Sequence, residues 1–161
     1  MQQTNLQKNV SMEEMFPLIE ECLKNGSEIK FSPRGNSMYP MLRDQRDEVV
    51  LVRPLDLLKK DDLVFYRRSN GQFVLHRIIA VKNENEFVLC GDAQWIKEYP
   101  IYRNQIIGVV RAFYRRNQMI DCSQSKGYRL YCRVWGFLFP VRYYLFLPRR
   151  ILFKLYRLLL K

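Results

Sequence analysis

The sequence predicts a mainly β domain of antiparallel strands, preceded by a short N-terminal helix and followed by a basic amphipathic helical tail. Two observations carry the sheet. Five short runs rich in β-branched and aromatic residues (48–53, 63–66, 73–81, 86–90 and 106–114) follow one another between residues 28 and 116. No long helical period interrupts them, which excludes the alternation expected of a parallel α/β sheet. The third observation is a charge asymmetry: from Lys126 to Lys161 there are nine Lys or Arg and no acidic residue, within a chain of net charge +11.

Taken in order, Ser11-Met-Glu-Glu14 has the pattern of a capping box, and Met12, Met15, Ile19 and Leu23 recur at helical spacing. Gly26 is placed to stop that helix, and Pro17 either begins its second part or kinks it. Asn70-Gly71 between two strand runs is a short hairpin signal, because both residues tolerate positive φ. Asn83-Glu-Asn85 reads as a second turn. In the tail, Arg150, Lys154, Arg157 and Lys161 fall on one helical face, opposite Ile151, Leu152, Leu155, Leu158 and Leu159. The resulting division is an N-terminal helical segment (1–27), a β domain (28–118) and a tail (127–161). No solenoid-length repeat is present.

The tail's composition points to an anionic surface. Arg133, Arg142 and Arg149–Arg150 cut its apolar residues into pieces too short for the ~20 residues a spanning helix needs. A basic stripe facing leucines suits a helix lying in a membrane interface. Nucleic acid fits less well, since phosphate contact does not require so much leucine and phenylalanine. Residues 1–11 are polar and the following apolar stretch is broken by glutamates, so no secretory signal is expected there. The expected location is peripheral, on the cytoplasmic face of a membrane. The cysteines (Cys22, Cys90, Cys122, Cys132) lack C-x-x-C spacing and the chain has one histidine, which argues against a zinc site and for free thiols. No metal or other cofactor is expected.

Three segments could carry chemistry. The first is the serine-bearing loop Ser32-Pro-Arg-Gly-Asn-Ser-Met-Tyr-Pro-Met41. The second is His76, in the strand Val74-Leu-His-Arg-Ile-Ile79. The third is Gly91-Asp92-Ala-Gln94, which follows a strand. Each alone is commonplace. Together, a serine hydroxyl is a poor nucleophile until a base within about 2.6–3.2 Å takes its proton. A neutral imidazole can do this near neutral pH without deep burial, whereas a lysine must first be desolvated.

The order Gly35-Asn-Ser-Met-Tyr-Pro40, Leu75-His-Arg-Ile78, Gly91-Asp92 and Ile106-Ile-Gly-Val109 resembles the signal peptidase I superfamily over residues 29–116. It is closest to the branch of the endoplasmic reticulum and archaea, which uses histidine where most bacterial enzymes use lysine. The resemblance implies a coiled antiparallel β-sheet, Ser37 as nucleophile and His76 as general base. It implies Asp92 as the group that orients the imidazole, and a cleft floor formed by Met38, a residue that core packing would explain equally. Gly35 lacks a hydroxyl, so an oxyanion would rest on the Ser37 N–H with help from Gly35. The family carries a further aspartate after its Gly-Asp pair, and Glu98 is the acid nearest that place. Where the family has Gly-Asp before other strands, this chain has Arg46-Asp47 and Asp61-Asp62, and the family's usual N-terminal membrane anchor is not expected from residues 1–28. The expected activity is serine endopeptidase cleavage of an extended peptide or preprotein of the signal- or leader-peptide type. Two other readings are a degenerate fold that only binds peptide or membrane, and a self-cleaving repressor of the SOS type. The latter needs a helix-turn-helix domain that residues 1–28 are too few to form.

Overall fold

A computed structural model describes residues 12–54 and 57–144. Ser11 of the capping box and the basic stripe of 150–161 lie outside the described residues. Helix α1 spans Met12–Lys24 with Pro17 inside it. Its apolar spacing buries Ile19 and Leu23 in the core, with Met12 and Met15 packed alongside. It ends as its sequence predicts: Gly26 takes φ +75°, Ser27 N–H reaches the Cys22 carbonyl at 2.9 Å and Gly26 N–H the Leu23 carbonyl at 3.1 Å. This is a Schellman closure, which requires a left-handed residue at that position.

Eight strands form one sheet, β1 (Ile29–Phe31), β2 (Glu48–Val52), β3 (Leu63–Arg67), β4 (Phe73–Asn83), β5 (Glu86–Cys90), β6 (Glu98–Tyr102), β7 (Ile106–Arg115) and β8 (Gln118–Asp121). The order is β1-β2-β7-β3-β4-β5-β6, with β8 on β7, and every pairing is antiparallel. The mainly antiparallel sheet and N-terminal helix are therefore as the sequence predicts. Strands β1, β6 and β8 are additional to the five runs read from the sequence. Strand β6 contains Pro100, which cannot donate to a ladder, and it stands at the sheet's edge, where a proline is tolerated. Strand β8 is joined to β7 by Arg116-Asn117, both at positive φ (49° and 64°), a turn made without glycine and so without its usual signal.

The Asn70-Gly71 hairpin exists with a different turn. Arg68 N–H meets the Gln72 carbonyl at 2.8 Å and only Gly71 takes positive φ (+88°), a three-residue loop in which glycine supplies the left-handed position. The Asn83–Asn85 turn is closed by Asn85 N–H on the Asn83 side-chain oxygen at 2.9 Å.

Helix α2 (Lys126–Phe137) starts at Ser125, whose hydroxyl accepts the Tyr128 N–H at 3.1 Å. It does not stand apart from the β domain. Tyr128 and Cys132 are buried in the same core as Leu63, Leu75 and Phe113, so the boundary expected before residue 127 is corrected: at least this helix belongs to the domain. The apolar positions that lie inward, Tyr128 and Cys132, are four apart, and burial against the sheet stabilises a helix more than its own propensity does. Its outer side exposes Leu130, Val134 and Phe137. Among the described residues no helix is long and apolar enough to cross a membrane.

Candidate functional site

The loop after β1 carries Gly35 and Ser37. Gly35 adopts φ +93°, a conformation that side chains rarely take, and this turns the chain sharply ahead of Asn36. Tyr39 N–H then bonds the Asn36 carbonyl at 3.1 Å and Leu42 N–H the Met38 carbonyl at 2.9 Å, which winds the segment into tight turns. Met38, Met41 and Leu42 anchor those turns in the core at 4%, 4% and 2% exposure. Ser37 stays half-buried above them. Met38 both packs in this core and lines the cleft beneath Ser37. At the far end of the loop, fully buried Asp47 accepts the Arg43 N–H at 3.1 Å and pairs with Arg46 at 2.6 Å.

His76 lies mid-strand on β4, opposite Val64 of β3, and is 1% exposed. Its Nδ1 stands 3.1 Å from Glu98 Oε1 and 3.2 Å from the Tyr66 hydroxyl. Glu98, the first residue of β6, also receives the Tyr66 hydroxyl at 2.8 Å and the Arg68 Nε at 2.8 Å on Oε2, while Arg68 Nη2 meets Oε1. Partial burial works to raise the Glu98 carboxyl. The hydrogen bonds from His76, Arg68 and Tyr66 outweigh it and hold the group far below the usual carboxylate range. An ionised carboxylate only accepts, so Nδ1 carries a proton toward Glu98, and in the neutral ring the lone pair is then on Nε2. The same carboxylate, together with burial, pushes the Tyr66 phenol up, keeping it a donor.

Nε2 faces the serine loop. A Cβ placed on Gly91 would lie 3.0 Å from His76 Nε2 and 2.6 Å from the Ser37 carbonyl oxygen, so both groups border one point that only glycine leaves open. Ala93 N–H holds the Ser37 carbonyl at 2.8 Å, fixing the loop to the turn after β5. Ser37, His76, Gly35 and Met38 line one cleft of about 220 Å³ with Arg68 and Gln94. No hydrogen bond joins the Ser37 and His76 side chains among the described residues.

The expectation that Asp92 orients the imidazole is corrected in its geometry. Arg77 grips Asp92 through Nε to Oδ1 at 2.9 Å and Nη2 to Oδ2 at 2.8 Å, and the Tyr131 hydroxyl adds a bond to Oδ2 at 3.0 Å. The reason is the two-residue period of a strand: His76 and Arg77 are successive and point to opposite faces. Gly91 adjoins the histidine and Asp92 the arginine. Asp92 is fully buried and its charge is met by Arg77, with α2 sealing the pair. The carboxylate on His76 is Glu98, the alternative acid in the sequence. Tyr66 and Arg68 were not legible as site residues: β3 reads as an ordinary buried strand, and nothing local to it signals that Glu98 arrives from an edge strand.

Comparisons with models of known families, with curated proteins and with solved structures give no match to this chain.

Proposed function

We propose that this chain is a serine endopeptidase of the signal-peptidase type, cutting extended peptides with Ser37 as nucleophile, His76 as general base and Glu98 as the group that orients the base. The observation that carries the reading is the placement of His76, with Nδ1 3.1 Å from Glu98 Oε1 and Nε2 bordering the same point beside Gly91 as the Ser37 carbonyl. In the reaction, Nε2 takes the Ser37 proton as Oγ attacks the scissile carbonyl, and the imidazolium formed is stabilised by Glu98. The imidazolium then protonates the leaving amine, giving an acyl-enzyme that water hydrolyses by the same relay in reverse. The Ser37 N–H, on the turn shaped by Gly35, is the donor we assign to the oxyanion. A serine–histidine bond missing before substrate arrives is compatible with this chemistry, because such contacts tighten in the complex. The sheet is read as the coiled catalytic sheet of that superfamily.

The substrate class we infer is a signal or leader peptide, presented at a membrane surface. The exposed Leu130, Val134, Phe137, Val141 and Tyr144 recur at steps of four and three and continue toward the basic stripe of 150–161. This supports peripheral attachment of 127–161 to the cytoplasmic leaflet. A fluorophosphonate probe tests the nucleophile: modification maps to Ser37 in the wild-type chain and disappears in Ser37→Ala. Modification elsewhere, unchanged by that substitution, contradicts the reading and favours a peptide-binding module.

A further inference from the structure

We infer, on the peptidase reading above, that Gln94 is a further catalytic residue: its side-chain amide holds the water that hydrolyses the acyl-enzyme on Ser37. That water has to stand beside the imidazole that takes its proton, with an oxygen lone pair turned to the acyl carbon. One hydrogen bond to Nε2 leaves it free to rotate, and a second one fixes it. Gln94 Oε1 lies 3.1 Å from the place a Cβ on Gly91 would occupy, with His76 Nε2 3.0 Å and the Ser37 carbonyl oxygen 2.6 Å from the same place. The amide, the base and the nucleophile's own residue therefore border one point, and all three residues line the cleft of about 220 Å³. A water occupies about 30 Å³, so this cleft holds one beside an acyl group.

The second observation is that this amide is not used by the fold. Gln94 is half-buried, and its side chain makes no hydrogen bond among the described residues. Its backbone, by contrast, is fixed: Gln94 N–H bonds the Gly91 carbonyl at 3.0 Å, and its neighbour Ala93 N–H bonds the Ser37 carbonyl at 2.8 Å. From the other side, Trp135 Nε1 donates to the Asp92 carbonyl at 3.1 Å. The turn is thus tied to the serine loop and to α2, while the amide at its end can rotate about its last bond and present an acceptor or a donor to water. Arg68 lines the same cleft but is committed to Glu98 and Gln72, and Met38, Leu42, Phe73 and Leu75 are apolar. A neutral amide also adds no charge beside an imidazole that gains and loses a proton in each turnover. In the step itself, the water oxygen bonds to the acyl carbon as one water proton passes to Nε2. The bond from that carbon to Ser37 Oγ then breaks and Oγ takes the proton from Nε2. The second water proton, hydrogen-bonded to Gln94 Oε1, leaves with the product's new carboxyl group.

The test separates acylation from deacylation in the full chain. A peptide that the wild type cleaves is re-made as the 4-nitrophenyl ester of its acyl part, and nitrophenol release is followed from mixing. Gln94→Met keeps the length of the side chain and removes the amide, whereas Gln94→Glu keeps an oxygen acceptor; neither breaks a hydrogen bond of the fold. In Gln94→Met the acylation rate should stay within about threefold of wild type while steady turnover falls about 10–10²-fold, the scale of misplacing one reacting group. Intact-protein mass spectrometry should then find the acyl group accumulating on Ser37. Gln94→Glu should retain several-fold more turnover than Gln94→Met. Wild-type turnover in Gln94→Met, acylation and turnover falling together, or equal loss in the two variants would overturn the role. A wild-type chain that cleaves no peptide and leaves Ser37 unlabelled by the fluorophosphonate would overturn the peptidase reading itself, and this role with it.

Discussion

Glu98 Oε1 lies 3.1 Å from Nδ1 of His76, while the carboxylate that follows Gly91 is turned to the other face of the sheet and gripped by Arg77. The two acids therefore have separable consequences. Glu98→Gln replaces an obligate acceptor with an amide whose N–H can donate to Nδ1, which moves the imidazole proton to Nε2. We expect peptide cleavage to fall roughly 10²–10⁴-fold, in kcat more than in KM. A variant that cleaves at the wild-type rate contradicts the orienting role.

Asp92→Asn should act first on stability. It leaves the Arg77 guanidinium buried and unpaired, a change that costs about 3–5 kcal/mol. Chemical unfolding measures this, and an unfolding midpoint within error of wild type would show that Tyr128, Cys132 and the Asp61 carbonyl suffice to hold Arg77.

Gly91→Ala tests the shared point between His76 and Ser37. The added methyl meets a backbone oxygen at 2.6 Å, which a side-chain rotation cannot relieve. Displacement of the serine loop by several tenths of an ångström is expected to lower cleavage on the order of 10²-fold, the scale of small misplacements of reacting groups. Full activity in this variant would mean that the loop and the histidine are not held at that distance.

The Glu98 carboxyl also sets a pH dependence. Its pKa in the folded chain is below the ordinary value of about 4.3, so its stabilising contribution is complete above that value and is lost as pH falls through the folded pKa. Acid unfolding curves of wild type and Glu98→Gln should converge as pH falls below the ordinary carboxylate range. Parallel curves throughout would indicate that the carboxylate gains nothing from His76, Arg68 and Tyr66.

The outer stripe of α2 is a separate matter. Phe137 is 84% exposed and Val134 49%, so glutamate at either position leaves the core intact. Flotation of the full chain with anionic vesicles should weaken in Val134→Glu with Phe137→Glu. Unchanged flotation, or failure of high-pH carbonate to strip the wild-type chain from native membranes, contradicts peripheral attachment through this segment.

Much of this architecture can be read from local patterns. The helix stop at Gly26, the five main strands and the loop holding Ser37 each have a residue-level cause within a few positions. What is not local is not legible. Strand β6 carries a proline, β8 follows a turn without glycine, and α2 looks like an appended tail because few of its positions lie inward, Tyr128 and Cys132 with Tyr131 beside them. The third site member depends on the same limit. Sequence order sets Asp92 close behind the histidine strand, but pairing register and the two-residue alternation of β4 decide which face each carboxylate reaches.

The most direct test of the central claim is cleavage of a peptide library by the full chain, read by mass spectrometry, for wild type, Ser37→Ala and His76→Ala. We expect wild type to generate a consistent set of new termini, and each variant, still folded, to lose roughly 10⁴–10⁶ in rate. Cleavage by either variant at the wild-type rate, or no cleavage of any peptide by wild type with its tail on anionic vesicles, would contradict a Ser37–His76 peptidase.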